Sequence, residues 1–110
     1  MTQSNNDWHI RAKMALAVAV KTRTLITYAE LTEAAAIPAP HRINKLSAWL
    51  EATMESDHAQ SMPLRAAWVI SRARGGLPAP GFFIKCNELG LYDGAPNGAV
   101  ATAFHLNLLG

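Results

Sequence analysis

The residues best equipped for chemistry in this chain are one cysteine, four histidines and a handful of arginines and lysines. Cys86 is spaced with Phe82, Phe83 and Leu89 at three to four residues, the period of one helix face. A thiolate nucleophile needs an activating histidine close by, and no histidine neighbours Cys86 in sequence. A thiol on an apolar stripe is a core residue. His9, His41, His58 and His105 are scattered, without the i, i+3 or i+4 pairing that builds a helical metal site. Gly75-Gly76 lacks both the spacing and the following Lys-Ser/Thr of a phosphate loop. Asp57 and His58 lie beside Ser56 and Ser61 in a polar run that reads as a solvated loop, not a triad. Neither a catalytic set, a metal nor a cofactor is expected.

The basic residues are a better prospect. Arg42, Asn44 and Lys45 fall off the apolar stripe of a predicted helix, and Arg72 and Arg74 sit in a Gly- and Pro-rich loop further on. Basic side chains on a helix start and a nearby loop form one surface suited to a phosphate backbone. The same pattern describes an ordinary solvated helix face. Tyr28 has two open roles, packing its ring with a wet hydroxyl or touching a phosphate.

These residues need elements to hold them. Asp7 or Asn6 can cap a first helix over Trp8–Lys21, in which Ile10, Met14 and Val18 recur at helical spacing and Leu16, Ala17 and Val20 widen the arc. A helix so apolar should be the spine of the core, with Arg11, Lys13, Lys21 and Arg23 as its solvated edge. Thr24–Thr27 is β-branched and suits a short strand. Thr27 and Glu30 stand at capping-box distance, opening a helix with Leu31, Ala34 and Ala35 on its apolar side. Pro38 and Pro40 end that helix and start the next near Pro40, with Ile43, Leu46, Leu50 and Thr53 or Met54 inward. The polar run after Met54 reads as loop or frayed helix.

Leu64–Ser71 is the strongest strand signal, and pairing with Leu25–Thr27 would make a small sheet. Arg72–Gly81 would then project as a wing. Gly81–Leu89 reads as a helix stopped by Gly90. Ala99–Leu109 is read as a helix through Val100, Phe104 and Leu108, though the alternation around His105 and Asn107 fits a strand equally well. Trp49 and Trp68 are assigned to the core. Two helices joined by a tight turn, the second basic at its start, outline a helix-turn-helix.

At 110 residues the chain is one domain, with room for a real core. Half its residues are apolar and 16% are charged, which excludes a disordered polyelectrolyte. A formal charge of +2 permits a nucleic-acid partner without demanding one. The lone cysteine leaves no internal disulfide and fits a reducing compartment. Met1–Asp7 lacks the basic start of a signal peptide, and the seven apolar residues Met14–Val20 fall far short of a membrane span of roughly 20. A cytoplasmic protein without membrane attachment is expected.

At Ile26-Thr27-Tyr28-Ala29-Glu30-Leu31 the sequence resembles the winged-helix domain of alkylguanine-DNA alkyltransferases and alkyltransferase-like proteins, whose helix-turn-helix opens on Thr/Ser-Tyr-Gly-Glu-Leu-Ala. Arg42-Ile43-Asn44 stands where that family has Arg-Ala-Val. The likeness covers Thr24–Leu50, with a looser echo as far as Ile70. The later Pro63–Ser71 and Gly76–Phe83 stretches look like bacterial winged-helix domains with a Gly-Pro loop and no assigned activity. The resemblance implies that Tyr28 packs against the DNA backbone and that Arg42 enters the duplex to fill the space left by a flipped base. It does not extend to the chemistry. The family's Pro-Cys-His-Arg is replaced by Met62-Pro63-Leu64-Arg65, which removes the nucleophile and its base.

The expectation is therefore an α+β, mainly α, winged helix-turn-helix-like domain with a small sheet. Its expected function is non-enzymatic binding of double-stranded DNA through Tyr28, Arg42, Asn44, Lys45, Arg72 and Arg74. The rival is a protein-interaction or homo-oligomerisation module on the same scaffold, using exposed apolar residues near the C-terminus.

Overall fold

The computed structural model describes residues 7–110. The chain is α+β and mainly α. Five helices, α1 (Asp7–Thr22), α2 (Tyr28–Ala35), α3 (Arg42–Ala59), α4 (Pro80–Glu88) and α5 (Gly98–Leu109), surround two short strands, β1 (Ile26–Thr27) and β2 (Val69–Ile70). The strands pair in parallel, Ile26 against Val69 and Thr27 against Ile70. Asp7 is already helical, in the first described turn of α1, and the capping role considered for Asn6 lies outside the described residues.

The α2 start is built as its local sequence dictates. The Thr27 hydroxyl accepts the Glu30 N–H at 3.0 Å while the Glu30 carboxylate accepts the Thr27 N–H at 2.9 Å. Two otherwise orphaned helix-end amides are thereby satisfied. Buried Leu31 and Ala35 turn inward, and Ala36 ends the helix in the left-handed region. The chain re-enters a helix at Arg42. Leu46, Leu50, Thr53 and Met54 are buried as the spacing predicts, but Ile43 remains 45% exposed. It lies one turn before the point where α3 meets the core.

Three further expectations need correction. α1 buries Trp8, Ala12, Leu16 and Ala19, and its Ile10–Met14–Val18 stripe points outward. Small Ala12 and Ala19 give α2 and the segment after α3 a flatter face to pack on, which the larger stripe would obstruct. Next, α3 does not fray after Met54 but runs to Ala59, because Asp57 is on its inner side. There the Asp57 carboxylate accepts the Arg65 backbone N–H at 3.0 Å and pairs with the Arg65 guanidinium at 3.0 Å. Finally, the predicted Leu64–Ser71 strand pairs with β1 only at Val69–Ile70, its β-branched pair. Arg65–Trp68 forms a single 3-10 turn, held from outside by the buried His105 ring, whose Nε2–H donates to the Ala67 carbonyl at 2.7 Å.

The C-terminal elements close the core. α4 brings in Phe82, Phe83 and Cys86. Gly90 at φ 77° ends it, with the Leu91 N–H reaching the Cys86 carbonyl at 2.8 Å. This is the left-handed stop for which glycine is suited. α5 is a helix, and Phe104 stacks on Tyr92 with ring centroids 4.5 Å apart. Trp68 is buried and Trp49 half-buried at the core's edge, 6.3 Å from Trp8. Arg23, expected on a solvated edge, reaches over the Trp68 ring and donates to the Leu109 carbonyl at 2.7 Å. No helix among the described residues is long and apolar enough to cross a membrane.

Candidate nucleic-acid interface

An open cleft of about 460 Å³ lies where α2 begins. Tyr28 and Glu30 line it from α2, Ile43 from the first turn of α3, and Ile70, Arg72 and Arg74 from β2 and the loop after it. The loop is compact. A 3-10 turn over Arg72–Arg74 is followed by Gly75 and Gly76 at φ 67° and 88°, and the Ser71 N–H then meets the Leu77 carbonyl at 2.8 Å. Two successive left-handed residues reverse the chain at little steric cost only where both lack a Cβ. The expected wing is thus a short closed loop, and it holds Arg72 at the cleft's rim.

The predicted site residues divide by what their polar atoms already touch. Tyr28 is buried, and its hydroxyl accepts the Ala79 N–H at 2.9 Å. Burial holds its pKa above the usual tyrosine value, so the ring is a neutral wall of the cleft that ties α2 to the start of α4. Arg42 folds back along the turn. Its Nε donates to the Ile37 carbonyl at 2.7 Å, and one terminal nitrogen lies 3.3 Å from Glu33. Lys45 donates to the Pro38 carbonyl at 2.8 Å. Both side chains serve carbonyls in the turn between the two helices, which lack helical partners of their own.

Arg74 is the most committed. Its Nε donates to the Pro78 carbonyl at 2.8 Å, and a terminal nitrogen donates to the Pro96 carbonyl. This clamps the loop to the α4–α5 connection. Asn44 is exposed, its side chain making no hydrogen bond among the described residues. Arg72 is exposed and pairs with Glu30 at 3.3 Å. The Thr27 amide and hydroxyl, followed by the Arg72 charge, hold the Glu30 carboxyl below its usual range. The structure therefore places all six predicted residues around the α2–α3 turn and the cleft; Asn44 and Arg72 are the most exposed of them, while Arg42 and Lys45 keep only the donors that the turn carbonyls do not use.

Sequence reasoning missed two members of this neighbourhood. Ile43 was assigned to the core, yet it forms an apolar wall of the cleft; its position in the first turn of α3, ahead of Leu46, was the available signal. Glu30 was recognised as a cap and not as the partner of Arg72, a pairing across 42 residues that no local pattern reveals. Met62–Arg65, compared above with the alkyltransferase motif, holds no cysteine or histidine. Met62 and Pro63 are exposed, Leu64 is buried and Arg65 is paired with Asp57. Burial raises the Cys86 thiol to about 12, far from the thiolate that transfer chemistry requires. Among the described residues, no three His, Cys, Asp or Glu side chains converge as a metal site would need. Comparison with known proteins found no matching family model, curated protein or solved structure.

Proposed function

We propose that the chain is a non-enzymatic DNA-binding domain that meets duplex DNA with the start of α3 and the Arg72 loop. The observation carrying this reading is that these two segments flank a single cleft, with Ile43 on one side and Arg72 on the other. A helix-turn-helix whose second helix and adjacent loop share one face has the outline of a surface that spans a groove and its bordering phosphates. Asn44 would face base edges or backbone. Arg72 would exchange its exposed Glu30 partner for phosphate, a small sacrifice, since exposed ion pairs contribute only about 0–1 kcal/mol. Arg42 and Lys45 would approach the backbone with the donors left over from the turn, and Tyr28 would shape the cleft with its ring.

The test is a fluorescence-anisotropy titration of labelled duplex at low salt and at several higher salt concentrations. Binding should weaken steeply as salt rises, because each neutralised phosphate releases condensed counterions. Absence of binding at about ten micromolar protein in low salt, where non-specific DNA binders already associate, would overturn the reading. The rival protein-interaction reading has one observation in its favour: Val100 and Leu106 on α5 are largely exposed. Binding to a partner through such residues would be nearly insensitive to salt.

A further inference from the structure

The outward face of α1 carries an ordered pattern. Asp7, Ile10, Met14, Val18 and Lys21 follow in steps of three and four along one side of the helix. Ile10, Met14 and Val18 are 64%, 65% and 60% exposed, larger than the Ala12 and Ala19 that the same helix buries. Ala17 between them is exposed too. The stripe thus has an acid at its start, a base at its end and three large apolar side chains between. Neither Asp7 nor Lys21 makes an ion pair among the described residues. Arg11 is drawn off the stripe, its Nε donating to the Ala35 carbonyl of α2 at 2.6 Å.

We infer that this stripe is a homodimer surface on which α1 of a second copy packs antiparallel, about a two-fold axis at Met14. The charge order selects both the partner and the direction. In that register Asp7 meets Lys21 of the second copy, Ile10 meets its Val18, and Met14 meets its Met14. A parallel pairing would set Asp7 against Asp7 and Lys21 against Lys21, which is repulsive at both ends. A surface that complements itself under a two-fold makes a closed dimer rather than a chain of copies. A mostly apolar groove beside Val18, lined by Ala15, Leu25 and Ile26 with Thr22, Thr24 and Glu30, adjoins the stripe and would widen the contact. α1 spans about 24 Å, and a single helix face is smaller than the roughly 800 Å² per partner of a standard stable interface. The dimer is accordingly a weak one. This inference is independent of the DNA reading and does not use the cleft.

Sedimentation equilibrium of the full chain from about 1 to about 200 µM is the direct measurement, a range suited to interfaces of this size. The wild type should shift from monomer toward dimer across it. Met14→Arg should remain monomeric throughout with an unchanged thermal melt, since the side chain it replaces is exposed. Asp7→Lys and Lys21→Asp should each weaken association at least severalfold, and the double exchange should restore it. Cysteine substitution reads the register, because a disulfide needs close, correctly directed Cβ atoms and native Cys86 is buried. Met14→Cys should crosslink to itself, while Ile10→Cys and Val18→Cys should crosslink only when mixed. A wild type that stays monomeric to the highest concentration would overturn the inference. So would a dimer that survives Met14→Arg, or Ile10→Cys crosslinking to itself as fast as Met14→Cys does.

Discussion

The two ends of α3 use the same chemistry to opposite purposes. Near its C-terminal end Asp57 grips Arg65, with side-chain exposures of 7% and 31%; beside its first turn Glu30 meets Arg72 at 52% and 80%. Both are arginine–carboxylate pairs at about 3 Å and both carboxylates also accept a backbone amide, yet only Asp57 is taken out of water. A carboxylate removed from water needs its hydrogen bonds filled, so that pair is fixed by the fold. An exposed pair is held loosely and can be exchanged. The apolar residues follow the same division, with Leu46, Leu50 and Met54 sealed and Ile43 left on the cleft. What separates anchor from candidate interface is burial, not residue type.

The comparison breaks first at Leu46. Leu46→Ala should destabilise by about 2–5 kcal/mol in urea denaturation, the range for a fully buried leucine, whereas Ile43→Ala should cost under about 1 kcal/mol because little of its burial is lost. Equal losses would mean that the cleft is closed in solution. Asp57→Ala comes next. It leaves the Arg65 amide and guanidinium without their acceptor and should cost about 2–3 kcal/mol, with the 3-10 turn after it loosened in hydrogen exchange. A loss no greater than that of an average surface substitution would remove the anchor from the comparison.

How much of this was legible depended on the range of the interaction. The capping box at Thr27 and Glu30, the stop at Gly90 and the buried face from Leu46 to Met54 are local, set within a turn or two, and the sequence carries them openly. The orientation of α1 was not legible in the same way. Its Ile10–Met14–Val18 stripe and its Trp8–Ala12–Leu16–Ala19 stripe both have helical period, and tertiary packing on α2 chose the second. Asp57 sat in a polar run that resembled a loop, because its partner lies eight residues on, past a proline. Arg72 and Arg74 look equivalent in sequence, and only the fold shows that one reaches water while the other holds two carbonyls.

At the α2 start, a pH titration sharpens the contrast. The Glu30 carboxyl is held below its ordinary value of 4.5, first by the Thr27 amide. A depressed folded-state pKa means that the ionised form favours the fold. The contribution is complete above the unfolded value and is lost as pH falls through the folded one. Glu30→Gln should therefore be less stable than wild type at neutral pH, and the difference should shrink in denaturation curves taken progressively below pH 4.5. A difference that stays constant into acid would mean that the cap contributes no charge-dependent stability.

The smallest expected change in stability carries the most information about function. Arg72→Ala removes an exposed ion pair and should move stability by no more than about 0.5 kcal/mol. Arg74→Ala removes the donors to the Pro78 and Pro96 carbonyls and should cost about 1–2 kcal/mol, two hydrogen bonds' worth. If the Arg72 loop meets phosphate, the order reverses in the anisotropy titration. Arg72→Ala should weaken binding to every duplex and lower the slope of log affinity against log salt by about one. Arg74→Ala, once measured at a temperature where it is fully folded, should leave that slope unchanged. The two substitutions delete the same charge two residues apart, so long-range attraction to DNA is altered almost equally by both. A difference in slope can then come only from which guanidinium reaches a phosphate. Equal slopes would mean that the loop acts through net charge alone, and the α3 start would be left as the whole of the interface.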